Sequence, residues 1–369
     1  MNNPFQLIGK SAAEVQQKIQ SAFHSLFEGN DSSEKICFDF QQYKCIIDIG
    51  HSDIRSEGMS YGMYIAAKLG LLELFQALWE FSKTYLQNAE TDDAPYFAWQ
   101  VGFDKKRQGQ FFKMDAGAAP DGEEYFAAAL LLAARRFGNN AYRDEALKLL
   151  HAMAHKKPAG KVRAMFDPEN FLVRFSPVES NDFTDPSYNT IAFYRAFAEA
   201  TGDERWLTTA DKSLEYLQKA AHPVTGLCSE YSEYDGTPHP TPWYPESGCF
   251  SGDAWRVAMN LSLDYALFHG HECEKNICER LLFFFESRRP YLADYAIDGS
   301  DFPRQGRNAT PGIIAMNAAA TQVLPEGDPL IKPFVKDLAA LSVPYRFWRY
   351  YDGMLYLIGL LATAGKIRF

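Results

Sequence analysis

One two-helix pattern repeats along this sequence, and the repeat limits the fold more than any other feature. From Ser56 onward, a helix rich in small residues and poor in charge is followed by a short turn and a charged, amphipathic helix. The pairs fall at about 57–69 with 71–87, 122–137 with 141–155, 187–201 with 203–220, 253–268 with 271–286, and 312–323 with 328–341. A last charge-poor helix, about 352–364, has no partner after it. The first helix, about 11–27, opens on the capping box Ser11-Ala12-Ala13-Glu14 and can supply that partner. Six helical hairpins result. In each, the charge-poor helix suits a buried inner position and the charged helix an outer one. The expectation is an all-α fold, an (α/α)6 barrel of six inner and six outer helices, built as a single domain over residues 1–369. The repeats are too unequal for a short-period solenoid. No sustained strand–helix–strand alternation suggests a doubly wound sheet. Residues 35–49, with Ile36, Phe38, Tyr43, Ile46 and Ile47, read as extended.

Carboxylates recur where the inner helices begin. Glu57, Asp121, Asp185 and Asp253 each stand at or beside such a start. Singly, each is what a helix N-terminus commonly carries, because an acidic side chain there answers unpaired N–H groups and the helix field. In Arg55-Ser56-Glu57-Gly58-Met59-Ser60-Tyr61-Gly62-Met63, Ser56 reads as the N-cap. Gly58, Ser60 and Gly62 suit a helix that something approaches closely. If the inner helices run parallel, all four acids meet at one rim. Crowded carboxylates split their pKa values by burial and mutual repulsion, which is how one becomes a proton donor and another an acceptor. Long connections of about 88–120, 156–184, 222–250 and 288–310 lead into that rim, and long ordered loops at one face are where function concentrates.

Aromatic residues make up 15% of the chain, a surplus that an aromatic-lined groove would use. The 88–120 connection carries Tyr96-Phe97-Ala98-Trp99, and the 222–250 connection carries Tyr231, Tyr234, Trp243, Tyr244 and five prolines. Tyr188, Trp255, Trp348, Tyr350 and Tyr351 flank inner-helix starts. Flat rings above a carboxylate-bearing cleft suit sugars, whose C–H faces pack on π-systems while their hydroxyls bond the acids. Core packing is the competing use of any one ring; Trp99 and Tyr188 are the best-placed candidates for a ligand.

Other functional classes fit poorly. A net charge of −10 and a pI near 5.4, without a Lys/Arg run, argue against nucleic acid. Neither a Walker loop nor GxGxxG is present, and no GxSxG motif accompanies Ser251 or His222. The acids lack metal-ligand spacing, so neither a metal nor another cofactor is expected. His51, near Glu57, reads as a structural or subsite residue rather than a base. No run of about 18 apolar residues suggests a membrane span. Residues 1–5 lack the basic and apolar regions of a secretion signal. The six cysteines, Cys37, Cys45, Cys228, Cys249, Cys273 and Cys278, show no CxxC. Reduced thiols in the cytoplasm are the expectation, with no obligate protein partner.

Six stretches, in order along nearly the whole chain, resemble glycoside hydrolase family 8, and most of all its reducing-end xylose-releasing exo-oligoxylanases. They are residues 53–63, Ala119-Pro120-Asp121-Gly122-Glu123-Glu124-Tyr125-Phe126, Phe183-Thr184-Asp185-Pro186-Ser187-Tyr188, Tyr234-Asp235-Gly236-Thr237-Pro238, Asp253-Ala254-Trp255-Arg256-Val257-Ala258 and Arg349-Tyr350-Tyr351-Asp352. The resemblance implies an (α/α)6 barrel and hydrolysis with inversion. It implies Glu57 as general acid and Asp253 as general base, with Asp121 holding a distorted sugar. Arg256 would orient the base, one helical turn away. Tyr188 would line the same subsite, and Trp99 and Tyr351 complete the expected substrate contacts. In the subgroup a Leu-His-Pro segment near the fifth hairpin closes the aglycone side and confines cleavage to the reducing-end xylose. The candidate segments here, residues 308–312 and Gln322-Val323-Leu324-Pro325, each keep a proline and lack the histidine.

The expected activity is therefore inverting hydrolysis of β-1,4-xylo-oligosaccharides with release of xylose from the reducing end. An endo-β-1,4-xylanase with an open cleft is the alternative, and a β-1,4-glucanase a more remote one. Sugar epimerases and lyases also use helical barrels, but an epimerase would want histidines where this chain has carboxylates. A non-catalytic sugar-binding protein is the remaining rival.

Overall fold

Local signals and packing together set the element boundaries in the computed structural model, which describes residues 3–104, 110–268 and 270–367. Ser11 caps α1 (Ala12–Glu28) through the reciprocal bonds of a capping box with Glu14. The extended segment after it is an antiparallel hairpin of β1 (Cys37–Phe40) and β2 (Tyr43–Ile46). Five helical hairpins follow: α2 (Ser56–Leu69) with α3 (Leu72–Phe81), α4 (Pro120–Phe137) with α5 (Asn140–His155), α6 (Ile191–Thr201) with α7 (Arg205–Ala220), α8 (Arg256–Phe268) with α9 (Glu272–Ser287), and α10 (Pro311–Ala320) with α11 (Ile331–Ala340). The last helix, α12 (Arg349–Thr363), packs on α1 and completes the sixth pair.

The even-numbered helices form a closed ring. α2 packs on α4, α4 on α6, α6 on α8, α8 on α10, α10 on α12, and α12 on α2. This is the inner layer of the (α/α)6 barrel, and its residues are buried almost all round. In α2 every residue from Gly58 to Ala67 is buried, and in α12 every residue from Gly353 to Thr363. Outer helices bury one stripe only, as in α7, whose Trp206, Ala210, Leu214 and Leu217 face inward. Close approach within the ring explains the small residues. A side-chain carbon at Gly58 would lie 2.6 Å from the Tyr350 ring, and one at Gly122 the same distance from the Ser56 hydroxyl.

Several boundaries differ from the sequence reading. Ser56 is not the N-cap of α2: Arg55 occupies that position, and Ser56 is the first helical residue. The cause is a strand pairing that the sequence did not signal. β3 (Ile54–Arg55) joins β4 (Gln100–Phe103) and β5 (Phe111–Asp115) in a three-stranded antiparallel sheet built from the 88–120 connection. The Ser56 N–H continues that ladder by donating to the Trp99 carbonyl at 3.1 Å. The third and fourth inner helices also begin later than expected. Pro186–Tyr188 and Gly252–Trp255 are 3₁₀ turns, and α6 and α8 follow them. The outer helix expected to run to about 87 is α3 plus a π-helical turn at Ser82–Leu86. Among the described residues no helix is long and apolar enough to cross a membrane, and all six cysteines are free thiols.

Filling the contact at Gly58 tests the ring. Gly58→Val should drive the Tyr350 ring out of its place at about 1–3 kcal/mol of overpacking cost. The melting temperature should fall by a few degrees; an unchanged one would show that α2 and α12 do not depend on this contact.

Candidate active site

Helix starts bring the acids together. Glu57 lies in the first turn of α2, Asp121 in the first turn of α4, and Asp253 in the 3₁₀ turn that leads into α8. Arg256, the first residue of α8, joins all three. Its Nη1 donates to Asp121 Oδ2 at 2.7 Å and to Glu57 Oε1 at 3.4 Å, and its Nη2 donates to Asp253 Oδ1 at 2.9 Å. The same side chain bonds the Tyr61 hydroxyl and the Ser187 Oγ. Arg256 is only 2% exposed. One planar, permanently charged fork thus neutralises a buried carboxylate cluster that would otherwise repel itself.

The three carboxylates do not share one environment. Asp121 is almost fully buried and accepts the backbone N–H of Gly122 as well as Arg256. Glu57 has a side chain 17% exposed and Asp253 one 30% exposed, so these two open toward solvent. Burial pushes Glu57 up to about 8; Arg256 and Arg55 oppose the rise, and Asp121 and Asp253 add to it. Burial also raises Asp121, against the pull of Arg256. Both Glu57 and Asp253 bond the one guanidinium through different nitrogens, at 3.4 and 2.9 Å. That caps their separation at about 9 Å, compatible with the roughly 6.5–9.5 Å of a carboxyl pair with water between them. A carboxyl that keeps its proton at neutral pH can give it to a leaving group, and a more exposed carboxylate across from it can take one from water.

The remaining candidates divide. Tyr351 donates to the Gly252 carbonyl at 3.2 Å, and its hydroxyl lies 3.5 Å from Asp253 Oδ1, so it touches the base turn directly. Tyr188 is buried beside Arg256, whose guanidinium carbon lies 5.8 Å from the ring centroid, and it stacks parallel to Phe175. Trp99 is half-buried beside Arg55, 5.6 Å from the guanidinium carbon to the ring centroid, and has no bond to the three acids. Asp185 does not stand at the open rim with the others. It is fully buried, caps the 186–188 turn through the Ser187 N–H at 2.7 Å, and is linked by hydrogen bonds to Arg256 through Ser187; burial, and then the charge of Asp253, push its pKa well up. Of the two proline segments, residues 308–312 lie at the site end, where the Gly312 N–H donates to Asp352 at 2.8 Å. Gln322–Pro325 lies at the other end of α10, where Gln322 donates to the Thr363 carbonyl at the end of α12.

Tyr350, named from the sequence only among the rings that flank inner-helix starts, and two residues not singled out there complete the site. Tyr350, on α12, donates its hydroxyl to Glu57 Oε2 at 3.2 Å. Tyr61 stands four residues after Glu57 on the same helix face, so helical spacing could have found it. Glu230 is a buried carboxyl beneath the base turn. It accepts from the Tyr244 hydroxyl at 2.9 Å and lies 3.1 Å from where a side chain at Gly252 would begin. Burial, and then the charge of Asp253, push Glu230 up to about 8. It sits in an irregular connection, where no periodicity marks a buried acid.

This geometry has relatives. The family model of glycosyl hydrolases family 8 matches residues 46–365. The reducing-end xylose-releasing exo-oligoxylanase Rex8A of Paenibacillus barcinonensis is 35% identical over 99% of this chain and 96% of that protein. A catalytic-mutant GH8 xylanase from Teredinibacter turnerae in complex with xylohexaose superposes with a TM-score of 0.92. It is 37% identical, over 100% of this chain and 97% of that one. Endoglucanase 2 of Ruminiclostridium josui is more distant, at 28% identity over 73% of this chain and 54% of that protein.

Two outcomes test the cluster. Arg256→Ala leaves buried carboxylates without their counter-ion and should cost about 3–5 kcal/mol of stability by chemical denaturation. Loss below 1 kcal/mol would show that the acids do not need it. Glu57 binds its proton more tightly folded than unfolded, so its contribution to stability is full below about pH 4.5 and is lost as pH rises through about 8. Glu57→Gln should therefore gain melting temperature relative to the wild type between pH 5 and 8. Parallel pH curves for the two proteins would contradict the raised pKa.

Proposed function

The chain belongs to glycosyl hydrolases family 8, and from that premise we propose that it is an inverting glycoside hydrolase of β-1,4-xylo-oligosaccharides that releases xylose from the reducing end. The observation that carries this reading is the Glu57–Arg256–Asp253 bridge. Glu57 is the general acid: its proton stays on because the side chain is largely buried, and Tyr350 and Arg256 hold its two oxygens. Asp253 is the general base, oriented by Arg256 and Tyr351, and takes a proton from the attacking water. Asp121 and Tyr188 bind the sugar whose bond is broken, on the α4 and α6 side of Arg256. Trp99 and Tyr351 are further substrate contacts. We read residues 1–369 as one catalytic domain in the cytoplasm, acting without a metal or cofactor.

In chemical terms, Glu57 protonates the glycosidic oxygen as the bond breaks. Water attacks the anomeric carbon from the Asp253 side, and the configuration inverts because one displacement occurs. The proton leaves the water for Asp253, and one departs with the sugar from Glu57, so the pair must exchange protons with solvent before the next cycle.

A second reading, an endo-β-1,4-xylanase with an open cleft, is favoured by one observation. The segment before α10 at the site end is Asn308-Ala309-Thr310-Pro311, without the histidine of the resembling subgroup.

Three measurements bear on these readings. Glu57→Ala and Asp253→Asn should each lose turnover by at least about a thousandfold, the scale of general acid–base and electrostatic terms together, with circular dichroism unchanged. Near-wild-type hydrolysis by either would remove its role. The alkaline limb of kcat/KM should fall near pH 8, as Glu57 ionises in the free enzyme; a limb below pH 6 would exclude Glu57 as the acid. Xylo-oligosaccharides reduced at their end should be poor substrates if the reducing-end xylose is recognised, and internal cuts at equal rates on reduced and unreduced chains would favour the open cleft.

A further inference from the structure

The turn that carries Asp253 is held by more than the residues of the cleft. Arg256 donates to Asp253 Oδ1 at 2.9 Å, and the Tyr351 hydroxyl donates to the Gly252 carbonyl at 3.2 Å. A further support is the carboxyl of Glu230. A side-chain carbon at Gly252 would lie 3.1–3.7 Å from all three carboxyl atoms of Glu230, so the acid packs directly against the residue that precedes Asp253. Glycine permits that approach, and its φ of 24° is one that other residues rarely adopt.

Glu230 is itself firmly placed. It lies in the 222–250 connection, is 4% exposed, and its backbone N–H donates to the Cys249 carbonyl at 2.9 Å. The Tyr244 hydroxyl donates to its Oε1 at 2.9 Å. The Ser251 hydroxyl shares a hydrogen bond with the carboxyl and accepts from Arg307 Nη2 at 3.0 Å. Glu230 therefore touches both residues that lead into Asp253.

The groups around it set its charge. Glu230 faces Asp253 on the turn, Tyr231 beside it in the chain, Tyr244 and Cys249 in the same connection, Arg307 before α10 and Tyr351 on α12. Of these groups Arg307 alone is a cation, and it already bonds both oxygens of Asp294, at 2.6 and 2.8 Å. Burial and the Asp253 charge push Glu230 up to about 8, so its carboxyl is uncharged at neutral pH. Once ionised, it would set a second buried negative charge against Asp253.

We propose that Glu230 is a positioning residue for the general base: its uncharged carboxyl holds the Ser251–Gly252 backbone where Asp253 reaches the attacking water, and its ionisation drives the turn away. The inference rests on the glycosidase reading above and deepens it. Activity then requires two protonated carboxyls, Glu57 as the acid and Glu230 beneath the base.

The test is the kinetics of Glu230 variants on xylohexaose. Glu230→Ala removes the support and should lower kcat by about 30- to 100-fold, the cost of about 1 Å of misplacement. KM should stay within about twofold, because Asp253 acts on water and not on the bound sugar. Glu230→Gln keeps an uncharged group of the same shape and should recover most of the loss. The pH profile separates positioning from packing. Above about pH 8, kcat/KM of the wild type should fall about a hundredfold per pH unit, because two groups ionise, and that of Glu230→Gln about tenfold, because Glu57 alone remains. Equal slopes in the two proteins would overturn the inference, even where Glu230→Ala does not fold. So would a Glu230→Ala enzyme with kcat within about twofold of the wild type. Both results leave the glycosidase reading standing. A wild type that hydrolyses no xylo-oligosaccharide would overturn that reading, and this inference with it.

Discussion

Everything at the open end of this barrel depends on one buried guanidinium. Arg256 bonds Glu57, Asp121 and Asp253 at once, and through Ser187 it reaches the turn that Asp185 caps. Three carboxylates this close repel one another in a low-dielectric setting, and Arg256 is the buried counter-charge they share. The arginine also decides how the charge is divided. Among the three acids its shortest bond is to Asp121 and its longest to Glu57, and Glu57 is the acid that rises to about 8. A lysine could supply the charge but not a rigid fork that addresses acids from three different helices.

The ring of parallel inner helices makes such a meeting possible. Each inner helix offers its first turn to the same rim, so residues nearly 200 positions apart become neighbours. Small residues in those first turns let the helices come close enough; Gly58 against Tyr350 and Gly122 against Ser56 are the tightest examples. The outer helices carry charge to solvent, and none of the three acids bridged by Arg256 lies on them. The long connections add what helices cannot: a three-stranded sheet that sets where α2 begins and a buried acid under the base turn.

Much of this was legible in the sequence because helical periodicity and charge segregate so clearly here. The hairpins, their inner and outer members and the recurring acids all follow from that pattern. What escaped it depended on contacts between distant segments. Ser56 looks like a cap, yet its N–H answers Trp99 across a sheet, and the helix starts one residue early. Asp185 has the spacing of a rim acid, but the 3₁₀ turn at Pro186–Tyr188 turns it into the protein, where it caps its own turn. Tyr350 and Tyr351 are adjacent and chemically alike, and only the rotation of α12 sends one to Glu57 and the other to the Asp253 turn. The family resemblance supplied roles for Glu57 and Asp253 that spacing alone would have left equal to those of Asp121 and Asp185.

The central claim is that Arg256 holds an acid and a base on opposite sides of the bond, far enough apart for water to attack directly. The anomeric form of the product at the moment of release reports this most directly. Proton NMR during early hydrolysis of xylohexaose should show the new reducing end appearing as the α-anomer, with the β-anomer growing only by mutarotation. Initial accumulation of the β-anomer would mean two displacements and a covalent intermediate, and would contradict the account.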